Sequence, residues 1–291
     1  MKKYLSFTLL ALLMGYAGAW IAMPKTASQV EAKKETAYER VTRTGVLRCG
    51  YATWPPNVMK DPNTGKVSGI IPDLIEYAAK SVNLKVEWVQ EVSWATYPED
   101  LKNGRYDAMC AGAWAVKETA NLTAYTRPVF YNPVYAYVRV SDKRFDEGFE
   151  KLNDPQFTIS GIDGAMNSII AVNDFPKAKL NDFPQMSEPS TALMDVMYGK
   201  SDITFVEGSL FMEFDKQNPG KLRPVTWTPY RSFATPLIAT SINDTRLATM
   251  FDTIVGEMQL HGIVDRTLKK YKADPRVYLL PAVPYRVADG K

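Results

Sequence analysis

A helix, a glycine turn and a buried strand follow one another twice in this chain of 291 residues. The first copy contains Gly104-Arg-Tyr-Asp107 before a short apolar run to Ala111, and the second contains Gly199-Lys-Ser-Asp202 before a run that ends at Glu207. Glycine can adopt the left-handed backbone that ends a helix, and short apolar runs between turns are typical of strands buried on both faces. The repeat therefore predicts two analogous halves, each organised around one buried strand.

The first half alternates strands and helices. The sequence predicts a strand over residues 45–50, a helix from Pro72 with apolar residues at 3.6-residue spacing, a strand over 85–89 and the buried strand over 106–111. Trp54-Pro-Pro56 follows the first strand, and its two prolines indicate an extended loop. The alternation is that of a doubly wound α/β lobe.

The second half repeats the alternation after an aromatic, extended segment over residues 131–140. Strands are predicted at 157–161, 180–183 and 203–207, with helices between them. Residues 233–239 form an apolar extended segment that leads back to the first half, and two helices over 243–260 and 262–271 complete it.

Composition excludes several classes of function. The formal net charge is +3, but the chain beyond residue 40 carries 29 basic and 29 acidic residues, so it lacks the basic surface that nucleic-acid binding requires. His261 is the only histidine, which argues against a triad or a zinc site. Gly161-Ile-Asp-Gly164 lacks the lysine of a phosphate-binding loop. The sequence therefore predicts a protein without a cofactor or metal that is not an enzyme.

The amino terminus is a targeting segment. Lys2 and Lys3 precede twenty uncharged residues, 4–23, which predicts that the remainder of the chain is exported. Residues 1–23 fit both a signal peptide cleaved after Ala19 and an uncleaved inner-membrane anchor. Residues 24–43 are charged and alanine-rich, and are predicted to be a linker that becomes helical at its end.

Several segments, in order along the chain, resemble the family 3 extracellular solute-binding proteins, which deliver solutes to ABC transporters. They are residues 45–50, 69–73, 94, 101–107, 130–135, 199–202 and 258–271. The resemblance implies the two-lobed periplasmic binding protein fold (type II), with α/β lobes joined by crossing strands near 134–140 and 232–238. It also implies a small-molecule ligand and a partner permease in the inner membrane.

The resemblance divides the chain into domains. The first lobe would comprise residues 44–137 and 233–272, and the second lobe residues 138–232. Residues 273–291, with prolines at 275, 281 and 284, form a tail with no recognisable motif.

The resemblance also implies a ligand site between the lobes. Trp54 and Trp94 would form aromatic walls; core packing is the alternative for each, and Trp54, directly after the first strand, is the better candidate for the pocket. Backbone groups of Ala111, Gly112, Ala113 and Trp114, and of the turn Gly164, Ala165 and Met166, would bind the polar head of the ligand. Glu207 lies where related receptors place an aspartate that pairs with an ammonium group. The hypothesis requires a chamber beside Trp54 and Glu207.

One departure from the family pattern concerns the ligand. Thr119 occupies the position of the arginine that binds the carboxylate of amino-acid ligands, a role that needs the guanidinium group. Lys117, Arg127 and Arg231 are candidate substitutes. If none serves, Glu207 and the aromatic residues favour a cation or an amine.

Three further possibilities stay open at this point. A dehydratase for cyclohexadienyl acids on the same scaffold would use Glu207 or Glu118 as a general acid. A retained anchor over residues 4–23 would suit a membrane-tethered sensory module. Cys49 and Cys110 lie on strands predicted to be adjacent and would form either a disulfide or two buried thiols.

Overall fold

The computed structural model describes residues 35–184 and 187–282. The first half has the predicted alternation, although its buried strand is shorter than the predicted 106–111. Its elements are α1 (Ala37–Thr44), β1 (Val46–Tyr51), β2 (Met59–Lys60), β3 (Val67–Ser68), α2 (Ile70–Ser81), β4 (Lys85–Glu91), α3 (Tyr97–Lys102), β5 (Ala108–Met109) and β6 (Thr123–Tyr125).

The second half begins with a long strand that leaves the first lobe and ends with one that returns to it. Its elements are β7 (Pro128–Arg139), β8 (Thr158–Ile162), α4 (Met166–Asp174), β9 (Lys179–Phe183), α5 (Thr191–Met197), β10 (Ile203–Glu207), α6 (Gly208–Gln217), β11 (Leu222–Pro224) and β12 (Arg231–Pro236). The chain then adds β13 (Ala239–Ser241), α7 (Thr245–Leu260) and α8 (Ile263–Lys270) to the first lobe.

The two large sheets have the same plan. The first is ordered β4-β1-β5-β13-β6 and the second β9-β8-β10-β7-β11. In each, three parallel strands are followed by one antiparallel strand that is joined to a crossing: β13 in the first lobe and β7 in the second. The predicted α/β architecture with two sheet-containing lobes is confirmed.

The repeated Gly-x-x-Asp turns perform the same structural task in both lobes. Gly104 and Gly199 have left-handed backbones, with φ of 72° and 75°. The Asp107 carboxylate accepts the Arg48 N–H at 2.7 Å, and the Asp202 carboxylate accepts the Thr158 N–H at 2.8 Å. Asp107 thus holds β1 beside β5, and Asp202 holds β8 beside β10.

The hydrophobic cores follow from the alternation of side chains along β7. Val134, Ala136 and Val138 pack into a core on one face of the second sheet, while Tyr135 and Tyr137 pack into another on the opposite face. This period of two residues is the geometry of a pleated strand that is buried on both faces. A separate core fills the first lobe.

The crossing strands β7 and β12 pair antiparallel with each other. On β7, Phe130 belongs to the core of the first lobe and Val134 to a core of the second. On β12, Phe233 packs on the second-lobe core, and Leu237 beyond its end belongs to the first. The change of lobe on β7 therefore lies near residues 131–133, before the predicted limit at 137.

The end of the predicted linker is a folded helix. Thr36 and Glu39 form a capping box at the start of α1, and Val41 is buried in the first-lobe core. The Arg40 guanidinium group forms an ion pair with Asp107. The helix includes the end of the predicted linker, where the sequence predicted helical structure, and it packs on the first lobe. Residues 24–34 lie outside the described residues.

The predicted tail also belongs to the folded body over part of its length. Val277 and Tyr278 are buried in the first-lobe core. Leu279 exchanges backbone hydrogen bonds of 2.7 and 2.9 Å with Tyr131. The prediction missed this because a pairing of one residue leaves no strand pattern in the sequence.

The predicted targeting segment, residues 1–23, lies outside the described residues. Within 35–184 and 187–282, no helix has the length and apolar character needed to cross a membrane.

Cys49 and Cys110 are joined in a disulfide, with an S–S distance of 2.08 Å and Cα atoms 5.5 Å apart. Cys49 lies on β1, and the Cys110 N–H donates to the Gly50 carbonyl at 2.8 Å. The disulfide therefore links two adjacent strands of the first lobe.

Candidate binding site at the lobe junction

Four aromatic side chains meet where the segment after β5 reaches the crossing strand β12. Trp54 makes edge contacts with Trp94 and Trp114, each with ring centroids 6.1 Å apart. Trp114 stacks on Phe233 with centroids 4.6 Å apart and planes 9° apart. Trp94 is 44% exposed, so the aromatic cluster is open to solvent on its side.

The Trp114 side chain is held by the crossing strands themselves. Its indole N–H donates to Asn132 Oδ1 at 3.3 Å, and the Thr235 hydroxyl donates to the same oxygen at 2.5 Å. Asn132 on β7 and Thr235 on β12 are both fully buried. One polar network therefore links the aromatic cluster to the strands that must bend if the lobes move.

The predicted backbone site over Ala111, Gly112 and Ala113 is buried against the same strand. A Cβ atom on Gly112 would lie 2.8 Å from Thr235 Cγ2, and the φ of 70° at Gly112 is itself left-handed. Both facts require glycine at this position. The segment is packed against the crossing strand β12.

The turn before α4 is exposed at Gly164, which has a φ of 75°. Ala165 precedes the helix in an extended conformation and forms no side-chain cap, while the Ser168 N–H in the first turn donates to Asn167 Oδ1 at 3.0 Å. The Ala165 N–H donates to the Ile162 carbonyl at 2.8 Å, while Met166 packs on the second-lobe core. Within the described residues, this turn has no ring contact or hydrogen bond with the aromatic cluster.

Glu207 ends β10, and α6 begins at the next residue. Its side chain is half-buried, and removal from water raises the pKa of the carboxyl group above its ordinary value. A hydrogen bond from its own backbone is the one opposing influence, and no basic side chain among the described residues lowers this pKa. A carboxylate in this position is electrostatically unpaired.

The candidate substitutes for the missing arginine are engaged elsewhere. Arg127 pairs with Asp252 at 2.7 Å, and Arg231 pairs with Asp174 at 2.5 Å. The Lys117 side chain is 84% exposed. The Thr119 hydroxyl forms a 2.5 Å hydrogen bond with the Tyr125 hydroxyl inside the first lobe. Both arginines of this set are thus held by aspartates, and Lys117 lies on the surface beside Glu118.

The structure therefore brings together only part of the predicted site. Trp54, Trp94 and Trp114 form the aromatic cluster, whereas Glu207 has no ring, hydrogen-bond or ion-pair contact with it in the described part of the chain. Two cavities can be described, of about 480 Å³ and 170 Å³, and neither lies beside Trp54 or Glu207. The larger is lined by Ala124, Tyr125, Thr126, Arg127, Thr245, Ala248, Thr249 and Asp252.

Sequence reasoning missed the residues that support Trp114 and those that surround Glu207. Phe233 lies in the predicted extended segment over residues 233–239 that leads back to the first half, and its aromatic ring could have indicated a place in the aromatic cluster. Asn132 and Thr235 carry no pattern, because their partner is distant in sequence. Val277, Tyr278 and Leu279 likewise carry no strand pattern, because the pairing of Leu279 with Tyr131 is a one-residue bridge.

Two α/β lobes joined by paired crossing strands, with aromatic side chains at the junction, define a two-lobed binding-protein fold. The chain belongs to the bacterial extracellular solute-binding proteins, family 3, whose family model matches residues 47–274. No curated protein sequence matches the chain.

Solved structures share the fold at low sequence identity. An ancestral amino acid-binding protein, described as a precursor of cyclohexadienyl dehydratase, is 22% identical with a TM-score of 0.66, covering 81% of this chain and 99% of its own. A cysteine-binding protein from Campylobacter jejuni is 18% identical with a TM-score of 0.63, covering 81% and 92%. An ancestral arginine-binding protein is 24% identical with a TM-score of 0.60, covering 78% and 98%.

Proposed function

We propose that this protein is a periplasmic receptor that captures a small solute with an ammonium group between its lobes and delivers it to an ABC-type permease of the inner membrane. Membership of the extracellular solute-binding family supports the binding role. Neighbours of the same fold are named for amino acids, including arginine and cysteine, which supports a small nitrogenous solute.

The observation that carries the proposal is the unpaired Glu207 carboxylate. Burying an anion without a partner is costly, as the raised pKa of Glu207 reflects. A cation bound beside it would compensate that cost. Trp54, Trp94 and Trp114 would add apolar and cation–π contacts once the lobes have opened and closed around the solute.

The same electrostatics disfavour a standard α-amino acid. Its carboxylate needs a basic partner, and Arg127 and Arg231 are already paired with aspartates. A solute in which the ammonium group is the dominant charge fits the site better than a zwitterion. Amines and cationic amino-acid derivatives are therefore the first class to test.

A thermal-shift screen of amino acids, amines, betaines and dicarboxylates would identify the solute, since ligand binding raises the melting temperature by mass action. Calorimetry should then show that Glu207→Gln weakens binding more than tenfold, a loss of over about 1.4 kcal/mol. Glu118→Gln is the matched control, because the Glu118 side chain is 50% exposed. Equal affinity of the Glu207→Gln variant and the wild type would remove Glu207 from the site.

One observation favours a second candidate, a dehydratase for cyclohexadienyl acids. A carboxyl group with a raised pKa suits a general acid, and Glu207 is such a group whereas Glu118 is exposed beside Lys117. A substrate of this class carries carboxylates, for which the candidate basic groups are engaged elsewhere. Product formation from a prephenate-like acid would favour this alternative over solute capture.

Export to the periplasm rests on residues 1–23. A signal peptide predicts a mature amino terminus at Trp20, and a retained anchor predicts Met1 or Lys2 in a membrane fraction. Amino-terminal sequencing after cell fractionation distinguishes a released receptor from a membrane-tethered module.

A further inference from the structure

Residues 274–280, here called the C-terminal segment, contact both lobes at their junction. Leu279 pairs with Tyr131 on the crossing strand β7. The Tyr135 hydroxyl of the second lobe donates to the Arg276 carbonyl at 2.5 Å. The Tyr278 ring packs edge-on against Phe130 of the first lobe, with centroids 5.1 Å apart. The segment is therefore fixed between the lobes and is a structural part of their junction.

The segment also lies directly beyond the end of β10. A Cβ atom on Gly208 would lie 2.3 Å from Val277 Cγ1, so the first residue of α6 is in close contact with Val277. Glu207 immediately precedes that contact. The C-terminal segment thus forms one side of the space into which the chain turns after Glu207.

Two buried polar side chains lie close together beside this segment. Tyr278 is 4% exposed and Asn57 is fully buried, and neither the Tyr278 hydroxyl nor the polar atoms of the Asn57 side chain meet the distance and angle of a hydrogen bond with any residue in 35–184 or 187–282. Native proteins leave few such groups, and each needs an explanation. A ligand or water that supplies the missing partner is the usual explanation.

Electrostatic coupling joins these groups to Glu207. Burial raises the pKa of Tyr278, the neighbouring Asn57 side chain lowers it, and the Glu207 carboxylate raises it further. The pKa of Tyr137 on β7 is likewise raised by burial, with smaller contributions from Tyr135 and Glu207. The contact between Val277 and Gly208 agrees with this coupling, because it brings the residue before Tyr278 against the residue after Glu207.

The position of Asn57 is rigid. Its backbone carbonyl accepts the Ile71 N–H at 3.0 Å at the start of α2. A Cβ atom on Gly69 would lie 2.5 Å from that carbonyl oxygen, so the two backbones are in close contact. A rigid amide, a hydroxyl and a carboxylate, each from a different part of the chain, suit the binding of a compact group with several N–H donors.

We propose that the C-terminal segment completes the solute site, with the Tyr278 hydroxyl and the Asn57 amide binding the primary ammonium group that Glu207 neutralises. This inference rests on the proposed function and adds two ligand-binding residues to it. It also specifies the substrate class: three acceptors require N–H donors, which a primary ammonium group supplies and a quaternary one lacks.

The test uses ethanolamine and choline, which differ only in the methylation of the nitrogen, with the full-length protein. Calorimetry should show that ethanolamine binds at least about tenfold more tightly than choline, since hydrogen bonds to a charged group are the stronger kind. Tyr278→Phe should reduce ethanolamine affinity about tenfold. Because the hydroxyl makes no hydrogen bond of ordinary geometry to the described residues, the same variant should not lower the melting temperature without ligand.

Tyr106→Phe is the matched control. Its hydroxyl is also buried in the first lobe but donates to the Tyr97 carbonyl at 3.2 Å, so we expect lower stability and unchanged affinity. Equal binding of ethanolamine and choline, no binding of either, or wild-type affinity of Tyr278→Phe would overturn the inference. If a screened solute then depends on Glu207 but not on Tyr278, the proposed function stands without it.

Discussion

Strands β5 and β10 occupy the same position in the sheets of their two lobes. The turns that precede them are alike, but their carboxyl ends differ. At their start, Asp107 and Asp202 each follow a left-handed glycine turn and accept the N–H of the first strand, from Arg48 and Thr158 respectively. This arrangement holds three parallel strands in register. Its recurrence in both lobes indicates a structural role.

At their far ends the strands differ. β5 leads into Cys110, which is bonded to Cys49, and into small buried residues packed on the crossing strand. β10 ends in Glu207, whose carboxyl group is desolvated and has no basic partner. Open α/β sheets bind ligands at the carboxyl ends of their parallel strands. At this end the first lobe carries a disulfide, whereas the second lobe carries the Glu207 carboxyl group.

The largest effect that we expect is a loss of stability when the aspartates before β5 and β10 are replaced. Asp107→Asn should destabilise the protein by about 3–5 kcal/mol, because it leaves Arg40 and Arg48 beside a neutral group at a side chain that is 1% exposed. Asp202→Asn should cost less, about 1–2 kcal/mol, because Asp202 is 19% exposed and its partner Arg144 is 45% exposed. Urea denaturation of both variants measures the difference, and equal losses would contradict a distinction based on burial.

The disulfide provides the next test, since the second lobe has no counterpart. The bond closes a loop with a sequence separation of 61 residues, so Cys49→Ala with Cys110→Ala should destabilise the protein by about 2–4 kcal/mol. The loss should be local. Amide hydrogen exchange should accelerate in β1 and β5 and stay unchanged in β8 and β10. Equal acceleration in both lobes would mean that they do not unfold independently.

Much of this comparison was predictable from sequence because it depends on local patterns. Gly104 and Gly199 mark the turns, the apolar runs mark the strands, and the strand order placed Cys49 near Cys110. These signals lie within a few residues of the structure they specify.

The parts that could not be predicted depend on distant partners. Trp114 stacks on Phe233, more than a hundred residues later in the chain, and nothing local in either residue specifies the pair. The change of lobe within β7 is invisible because both cores bury apolar side chains along one continuous strand. Tyr278 was missed because its burial depends on a single backbone pairing between Leu279 and Tyr131.

The smallest effect that we expect is at Glu207, at the carboxyl end of β10, where removal of the carboxylate should raise the stability of the protein. The folded-state pKa of Glu207 is raised, so the folded protein binds a proton more tightly than the unfolded chain does. Wild-type stability should therefore fall as the pH rises from the ordinary glutamate value, about 4.3, through the higher folded-state pKa. Tyr137 and Tyr278 stay neutral throughout, because burial raises their pKa values as well.

Glu207→Gln removes this titration, so the variant should melt at a higher temperature than the wild type at neutral pH and at the same temperature below about pH 4. Glu118→Gln is the matched control on the surface of the protein, since the Glu118 side chain is 50% exposed. A residue whose removal stabilises the free protein but weakens solute binding is retained for function. A lower melting temperature for Glu207→Gln at neutral pH would instead place Glu207 with Asp107 and Asp202 as a structural carboxylate, and the contrast between the two ends of the strands would disappear.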